Sequence, residues 1–296
     1  MAAPGGTNSV TSGPVTSGPV ASGSVASGSI ASGPIISATD LRVSYSGREV
    51  LHGLTFDVRR GETLVIIGGS GSGKSTMLRT LVGLEKPSSG QVRIAGVDIT
   101  KTGAREMDAI RKRIGLAFQG GALIGSLSVG ANIALPLLEH TALERSTIEV
   151  MVRIKLEQVG LSGFENYSPS QLSGGMKKRA AFARAMALDP ELLFFDEPSA
   201  GLDPITAAGI DDLILSLKKA YSLSMVVVTH ELASAFLIAD RIILIDRGNI
   251  EAMGPAEEVR NSRQPRVRQF LDRIADSTQD DEVDHLRMFT EGIGRD

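Results

Sequence analysis

The 296 residues predict an α/β fold built on a mainly parallel sheet wrapped by helices, on three observations. Short apolar runs at 63–67, 192–195, 225–228 and 242–245 have the look of buried parallel strands. Helical stretches such as 205–217 and 231–238 alternate with them, the pattern that puts helices on the faces of a sheet. Glycines follow the run at 63–67 at once, and a further helical stretch, 75–84, opens directly out of them.

From the N-terminus, residues 11–35 repeat a five-residue unit rich in Gly, Ser and Pro, such as Thr-Ser-Gly-Pro-Val. Units this short cannot bury enough apolar surface to offset chain entropy, so residues 1–36 are expected to be a disordered tail. Order is expected from near Ile36. Residues 41–45 and 50–58 alternate like strands, and 59–62 read as a turn. Residues 114–138 carry no charge and formally qualify as a membrane span. Gln119, Asn132, Pro136 and the glycines at 115, 120, 121, 125 and 130 argue instead for a short strand, a loop and a helix. Residues 120–190 read as mainly helical, a subdomain inserted beside the sheet. The main domain is expected over 37–255. A charged extension, 256–296, begins with helical character and has a loose acidic stretch at 277–284.

Composition narrows the function. With 42% hydrophobic and 22% charged residues the chain reads as globular, and a net charge of -3 gives no reason to expect a nucleic-acid partner. Cysteine is absent, which excludes disulfides and thiolate metal sites and fits a reducing cytosol. No basic stretch followed by an apolar one opens the chain, so no signal peptide is expected.

Two motifs carry chemistry. Residues 68–75, Gly-Gly-Ser-Gly-Ser-Gly-Lys-Ser, match G-x-x-x-x-G-K-[ST] in full, between a strand and a helix. Glycines let successive N–H groups face one anion, and the helix that starts there adds partial positive charge. Lys74 supplies a full charge to β- and γ-phosphates, and Ser75 a hydroxyl for Mg²⁺. The second motif is an apolar strand, 192–195, ending in Asp196 and Glu197. Asp196 is placed to hold Mg²⁺. Glu197, expected to point elsewhere because strand side chains alternate, is the candidate to polarise an attacking water.

With these motifs the chain resembles the ABC-transporter ATPases over roughly residues 38–255. The diagnostic stretch is Leu172-Ser173-Gly174-Gly175-Met176, followed by Lys177-Lys178-Arg179. The resemblance implies a P-loop NTPase (RecA-like) core, with an antiparallel β subdomain and a helical subdomain inserted between the two motifs. It implies that Gly68, Gly69, Ser70, Gly71, Ser72, Gly73, Lys74, Ser75 and Thr76 bind ATP, with Tyr45 stacking on adenine. Gln119 falls where a glutamine contacts Mg²⁺ and the water, and His230 where a histidine contacts the γ-phosphate. Ser173, Gly174 and Gly175 are implied to complete the ATP site of a second, head-to-tail copy, and Asp203 to signal across that dimer.

Within that family the chain is similar to the Mla and Mce-associated phospholipid-transport ATPases. The residues that carry this are 118–123 (Phe-Gln-Gly-Gly-Ala-Leu), 135–141 (Leu-Pro-Leu-Leu-Glu-His-Thr) and 265–271 (Pro-Arg-Val-Arg-Gln-Phe-Leu). The partners so implied are a second copy, an integral membrane permease and an Mce-type lipid-binding protein. The place implied is the cytoplasmic face of the inner membrane. An importer for another solute, or a soluble ABC ATPase of DNA repair or translation, are the alternatives.

Overall fold

The computed structural model describes Met1 and residues 33–274. The repeats up to residue 32 and the acidic stretch 277–284 lie outside the described residues. Strands β1 (Ile36–Tyr45) and β2 (Arg48–Val58) form a hairpin whose turn residues, Ser46 and Gly47, both have positive φ, the turn that suits strand twist. Next come β3 (Thr63–Gly68), α1 (Lys74–Leu81), β4 (Ser89–Ile94), β5 (Val97–Asp98), α2 (Ala104–Arg111) and β6 (Ile114–Ala117). Three helices follow, α3 (Val129–His140), α4 (Arg145–Gln158) and α5 (Gly174–Ala185). The chain then runs through β7 (Leu192–Asp196), α6 (Pro204–Tyr221), β8 (Ser224–Val228), α7 (Leu232–Ile238) and β9 (Arg241–Asp246). It continues through β10 (Asn249–Pro255), α8 (Ala256–Arg260) and α9 (Pro265–Leu271).

The strands make two sheets. One is antiparallel, in the order β2-β1-β4-β5; the other runs β10-β9-β3-β8-β7-β6, parallel except for the edge strand β10. The parallel strands are buried on both faces, and the period of two divides their side chains between two cores. Leu64, Ile66, Phe194, Val226 and Ile243 face α1 and the antiparallel sheet. Val65, Ile67, Phe195, Val227 and Leu244 face the helices of the other layer, where Phe195 packs on Phe182 of α5 at 4.3 Å between ring centroids. Burying each such side chain contributes roughly 1.5–3 kcal/mol.

The stretch without charges resolves into strand β6, a loop at 118–128 and helix α3. Asn132 and Pro136 do not break it: both lie inside α3. Asn132 is fully buried and turns back on the loop, accepting from the Ile124 N–H and donating to the carbonyls of Ile124 and Ser128. Among the described residues no helix is long and apolar enough to cross a membrane. The packed unit takes in residues on both sides of 37–255, since Ile35, Ile36, Val259 and Val267 are all buried.

Candidate nucleotide site

The parallel sheet delivers its chemistry to one edge, because β3, β8 and β7 are neighbours and run the same way. The C-terminal end of β3 gives Gly68, that of β8 gives Thr229 and His230, and that of β7 gives Asp196 and Glu197. Ligands of open α/β sheets bind at this edge.

The loop after β3 curls at once into α1. Gly73 caps the helix with φ 108, a conformation side chains rarely adopt, and a Cβ there would lie 2.7 Å from Leu51 of β2. Lys74, the first residue of α1, is buried and donates to the carbonyls of Gly68 and Gly69, each at 2.8 Å. Burial pushes its pKa down, opposed by the charges of Glu197 and Asp196. The Ser72 hydroxyl is buried with no hydrogen-bond partner, a spare donor inside the loop. Ser70 and Ser75 are exposed, and Gly69 and Thr76 are half-buried.

Asp196 has its pKa raised, first by burial and then by the neighbouring Glu197 charge, against the pull of Arg79, Lys178 and Lys74. A carboxylate held against its own preference in this way is a fitting ligand for a cation. Among the described residues no three His, Cys, Asp or Glu side chains cluster as a metal site. A divalent ion here would therefore take most of its oxygens from phosphates and the Ser75 hydroxyl, the usual arrangement for Mg²⁺ with nucleotides.

Glu197 diverges from Asp196 for a reason other than strand alternation. Strand β7 ends at Asp196, and Glu197 has φ 50, in the left-handed region that costs a non-glycine residue roughly 1–2 kcal/mol. Its N–H is held by the Val228 carbonyl at 2.8 Å, and its Oε2 lies 2.8 Å from Nδ1 of His230. The structure thus joins Glu197 and His230 directly, a pairing the sequence did not give. Gln119 is exposed just after β6, the strand beside β7. Tyr45 is exposed at the tip of the β1–β2 hairpin, and β2 backs onto Gly73.

Ser173, Gly174 and Asp203 are exposed and Gly175 is buried, where the starts of α5 and α6 meet rather than in the loop after β3. Helix α5 packs on α3, α4, α6 and β6, whereas α1 packs on β2, β3, β7 and β8. Ser173 is exposed and caps α5, accepting from the Met176 N–H at 3.3 Å. A Cβ on Gly175 would lie 2.5 Å from Thr206 of α6, so bare backbone is needed where the two helix starts meet. Asp203 caps α6 through the Ile205 and Thr206 N–H groups, and hydrogen bonds to the Thr206 side chain and backbone hold its pKa low.

One residue that the sequence left without a role stands at the centre of this edge. Lys178 of α5 is buried, and its ammonium donates to the carbonyls of Gln119 and of Glu197, the latter at 2.9 Å. A lysine in the first turns of a helix ordinarily reads as a solvated side chain, so no signal in the sequence marked it.

A curled loop at a helix start, a buried lysine and two carboxylates two strands away together define an enzyme that cleaves nucleoside triphosphates. The comparisons carry this further. The ABC transporter family model matches residues 51–200, and the chain belongs to that family. It is 40% identical over 241 residues to the intermembrane phospholipid transport system ATP-binding protein MlaF of Escherichia coli, covering 81% of this chain and 90% of that one. It is 38% identical over 258 residues to the probable ribonucleotide transport ATP-binding protein mkl of Mycobacterium leprae, covering 86% and 74%. Among solved structures it is similar to the ATP-binding cassette MJ0796, determined as a dimer bound to ADP and Pi. That match has a TM-score of 0.69 and 32% identity, over 75% of this chain and 98% of the other. The chain is an ATP-hydrolysing, ATP-binding subunit of a transporter.

Proposed function

We propose that two copies of the chain, head to tail, hydrolyse Mg-ATP between them and drive phospholipid transport through a separate membrane permease. The observation that carries the dimer is the division of the site. One chain gathers the phosphate loop, Asp196, Glu197 and His230 at one sheet edge, while Ser173 caps the exposed start of α5 and among the described residues bonds to none of them. In this reading Tyr45 stacks on adenine, and the loop from Gly68 to Thr76 holds the phosphates with Lys74 as its cation. Ser75, Gln119 and Asp196 hold Mg²⁺, Glu197 polarises the water, and His230 steadies Glu197 beside the γ-phosphate. Ser173, Gly174 and Gly175 of the second copy close over the γ-phosphate, and Asp203 reports that closure. Mg²⁺, Lys74, backbone amides and the second copy's Ser173 together offset the charge that develops on the phosphates.

The permease is placed at the loop after Gln119 and the groove between α3 and α4. Phe118 and Ile124 are exposed on or beside that loop, and Leu138 is exposed in the wall of a cavity of about 670 Å³ that Ile148 and Val152 also line. The chain would then sit on the inner face of the cytoplasmic membrane, and an Mce-type lipid-binding protein would complete the system. Similarity to MlaF supports phospholipid cargo; similarity to mkl favours, as a second reading, a transporter of ribonucleotides.

Glu197→Gln should leave ATP binding nearly intact while hydrolysis falls by about 10²-fold or more. Wild-type turnover in that variant removes Glu197 from the role. Purification of the complex from detergent-solubilised membranes tests the cargo. A permease accompanied by an Mce-type protein and bound phospholipid supports the lipid reading, and a soluble-ligand binding protein refutes it.

A further inference from the structure

The hydrolytic carboxylate sits on a residue whose backbone is strained, and something must hold that strain in place. Glu197 is in the left-handed region at φ 50, and its N–H is tied to Val228 of β8. Its carbonyl is tied by a side chain from a different layer, the Lys178 ammonium of α5. With the peptide groups on both sides of Glu197 held, the turn that aims Oε2 at His230 is fixed.

The same ammonium also binds the Gln119 carbonyl. Helix α5 holds the loop beyond it through Arg184, which donates to the carbonyls of Gly121 and Ala122 at 2.9 and 2.7 Å. Among the described side chains of α5, Lys178 is the one that bonds to Glu197, so it connects the Gln119 loop, the helix capped by Ser173 and the end of β7. An ammonium has three donors and no acceptor, which suits a place where carbonyls converge. It is buried at a cost, and burial lowers its pKa while the charges of Glu197 and Asp196 raise it. An apolar residue of the same length would avoid that cost but would leave both carbonyls without this donor, so the ammonium is what ties them together.

We infer that Lys178 is a positioning residue for hydrolysis: it couples the helix that serves the second copy's nucleotide to the placement of this chain's own Glu197. A small rotation of α5 as the dimer closes is then passed to Glu197 and Gln119 together, so the water-activating group is aligned only when its own Ser173 is engaged. This inference rests on the role proposed for Glu197.

The test uses full-length protein with Lys178→Met, Lys178→Gln and Lys178→Arg, with Glu197→Gln as reference. Nucleotide affinity is measured with a non-hydrolysable ATP analogue, and kcat and KM with ATP. Lys178→Met is expected to lower kcat by about 10- to 100-fold, the scale of a misplaced catalytic group, while analogue affinity and KM change less than about 3-fold. Arg should restore most of kcat, and Gln, which keeps a donor without the charge, should fall between. Unchanged kcat in Lys178→Met overturns the inference. So does a kcat loss matched by an equal loss of analogue affinity, or a loss that Arg does not relieve. If Glu197→Gln itself turns over like wild type, the proposed role of Glu197 fails instead, whatever the Lys178 variants do.

Discussion

The phosphate loop and the start of α5 are both glycine-rich turns that lead into a helix, yet they are built in opposite ways. Around Lys74 the loop is closed in: β2 stands against Gly73, two main-chain carbonyls hold the ammonium, and two carboxylates face it from the neighbouring motif. Around Ser173 there is one weak cap bond and open surface, with the close packing behind, between Gly175 and Thr206. The first can hold an anion unaided. The second has a helix terminus and a hydroxyl, and among the described residues no Lys, Arg or His side chain bonds to Ser173, which suits its proposed part in closing over a nucleotide already held by another copy.

The sharpest way to break that contrast is Lys74→Ala. Losing charge-assisted bonds to two phosphates should weaken ATP binding by about 10²-fold or more, read by direct nucleotide titration. Unchanged affinity would contradict the account of the loop. Ser173→Ala should be milder at the binding stage, leaving nucleotide affinity of dilute, monomeric protein nearly as it was. Hydrolysis at high protein concentration should still fall by about 10-fold or more, as for removal of one hydrogen-bond donor to developing charge. Mixing the two variants sharpens the comparison further. A heterodimer pairs the intact loop of the Ser173→Ala chain with the intact Ser173 of the Lys74→Ala chain, so the mixture should regain activity that neither has alone. Failure to complement would argue against a site shared between copies.

The smallest effect is expected at Asp211 of α6, outside both turns. This carboxylate is buried against α7; Ser234 donates to one oxygen at 2.7 Å, and the other oxygen has no hydrogen-bond partner. Burial raises its pKa, the Ser234 bond opposes, and Asp212 and Glu231 add to the rise. The folded state therefore holds the proton more tightly than the unfolded state. Stability should fall as pH climbs from the ordinary aspartate range through the raised value, and the penalty is complete above that value. Asp211→Asn should remove that slope and raise Tm at its high-pH end by a few degrees, on the order of 1 kcal/mol. A lower Tm, or an unchanged pH profile of thermal unfolding, would show that the charge is not opposed there.

The legible parts of this molecule were those whose physics is local. The strands at 63–67 and 192–195 announce themselves because a strand buried on both faces is apolar at nearly every position. The phosphate loop is legible because its glycines, lysine and serine must follow in fixed order. Strands β4, β5 and β10 went unread, since they are short, largely polar edge or hairpin strands specified by their pairing rather than by their own composition. Helix α2 was hidden in the same way by its polar surface, with only Met107 and Ile110 buried. At the site, the acidic pair was found but the geometry of Glu197 was not, because a left-handed residue after a strand is decided by what holds its two ends. Lys178 illustrates the limit most plainly: its role depends on carbonyls 59 and 19 residues away.

Asn132 has a consequence for any encounter at the loop that follows β6. One buried side-chain amide holds Ile124 at both its N–H and its carbonyl, and also binds the Ser128 carbonyl. The loop is thus stiff before contact, and the permease helix proposed to dock there need not spend affinity on ordering it, a cost of about 0.5–1.5 kcal/mol for each side chain immobilised on binding. A rigid socket also transmits force: a push delivered by this subunit reaches its neighbour as displacement rather than being lost as slack.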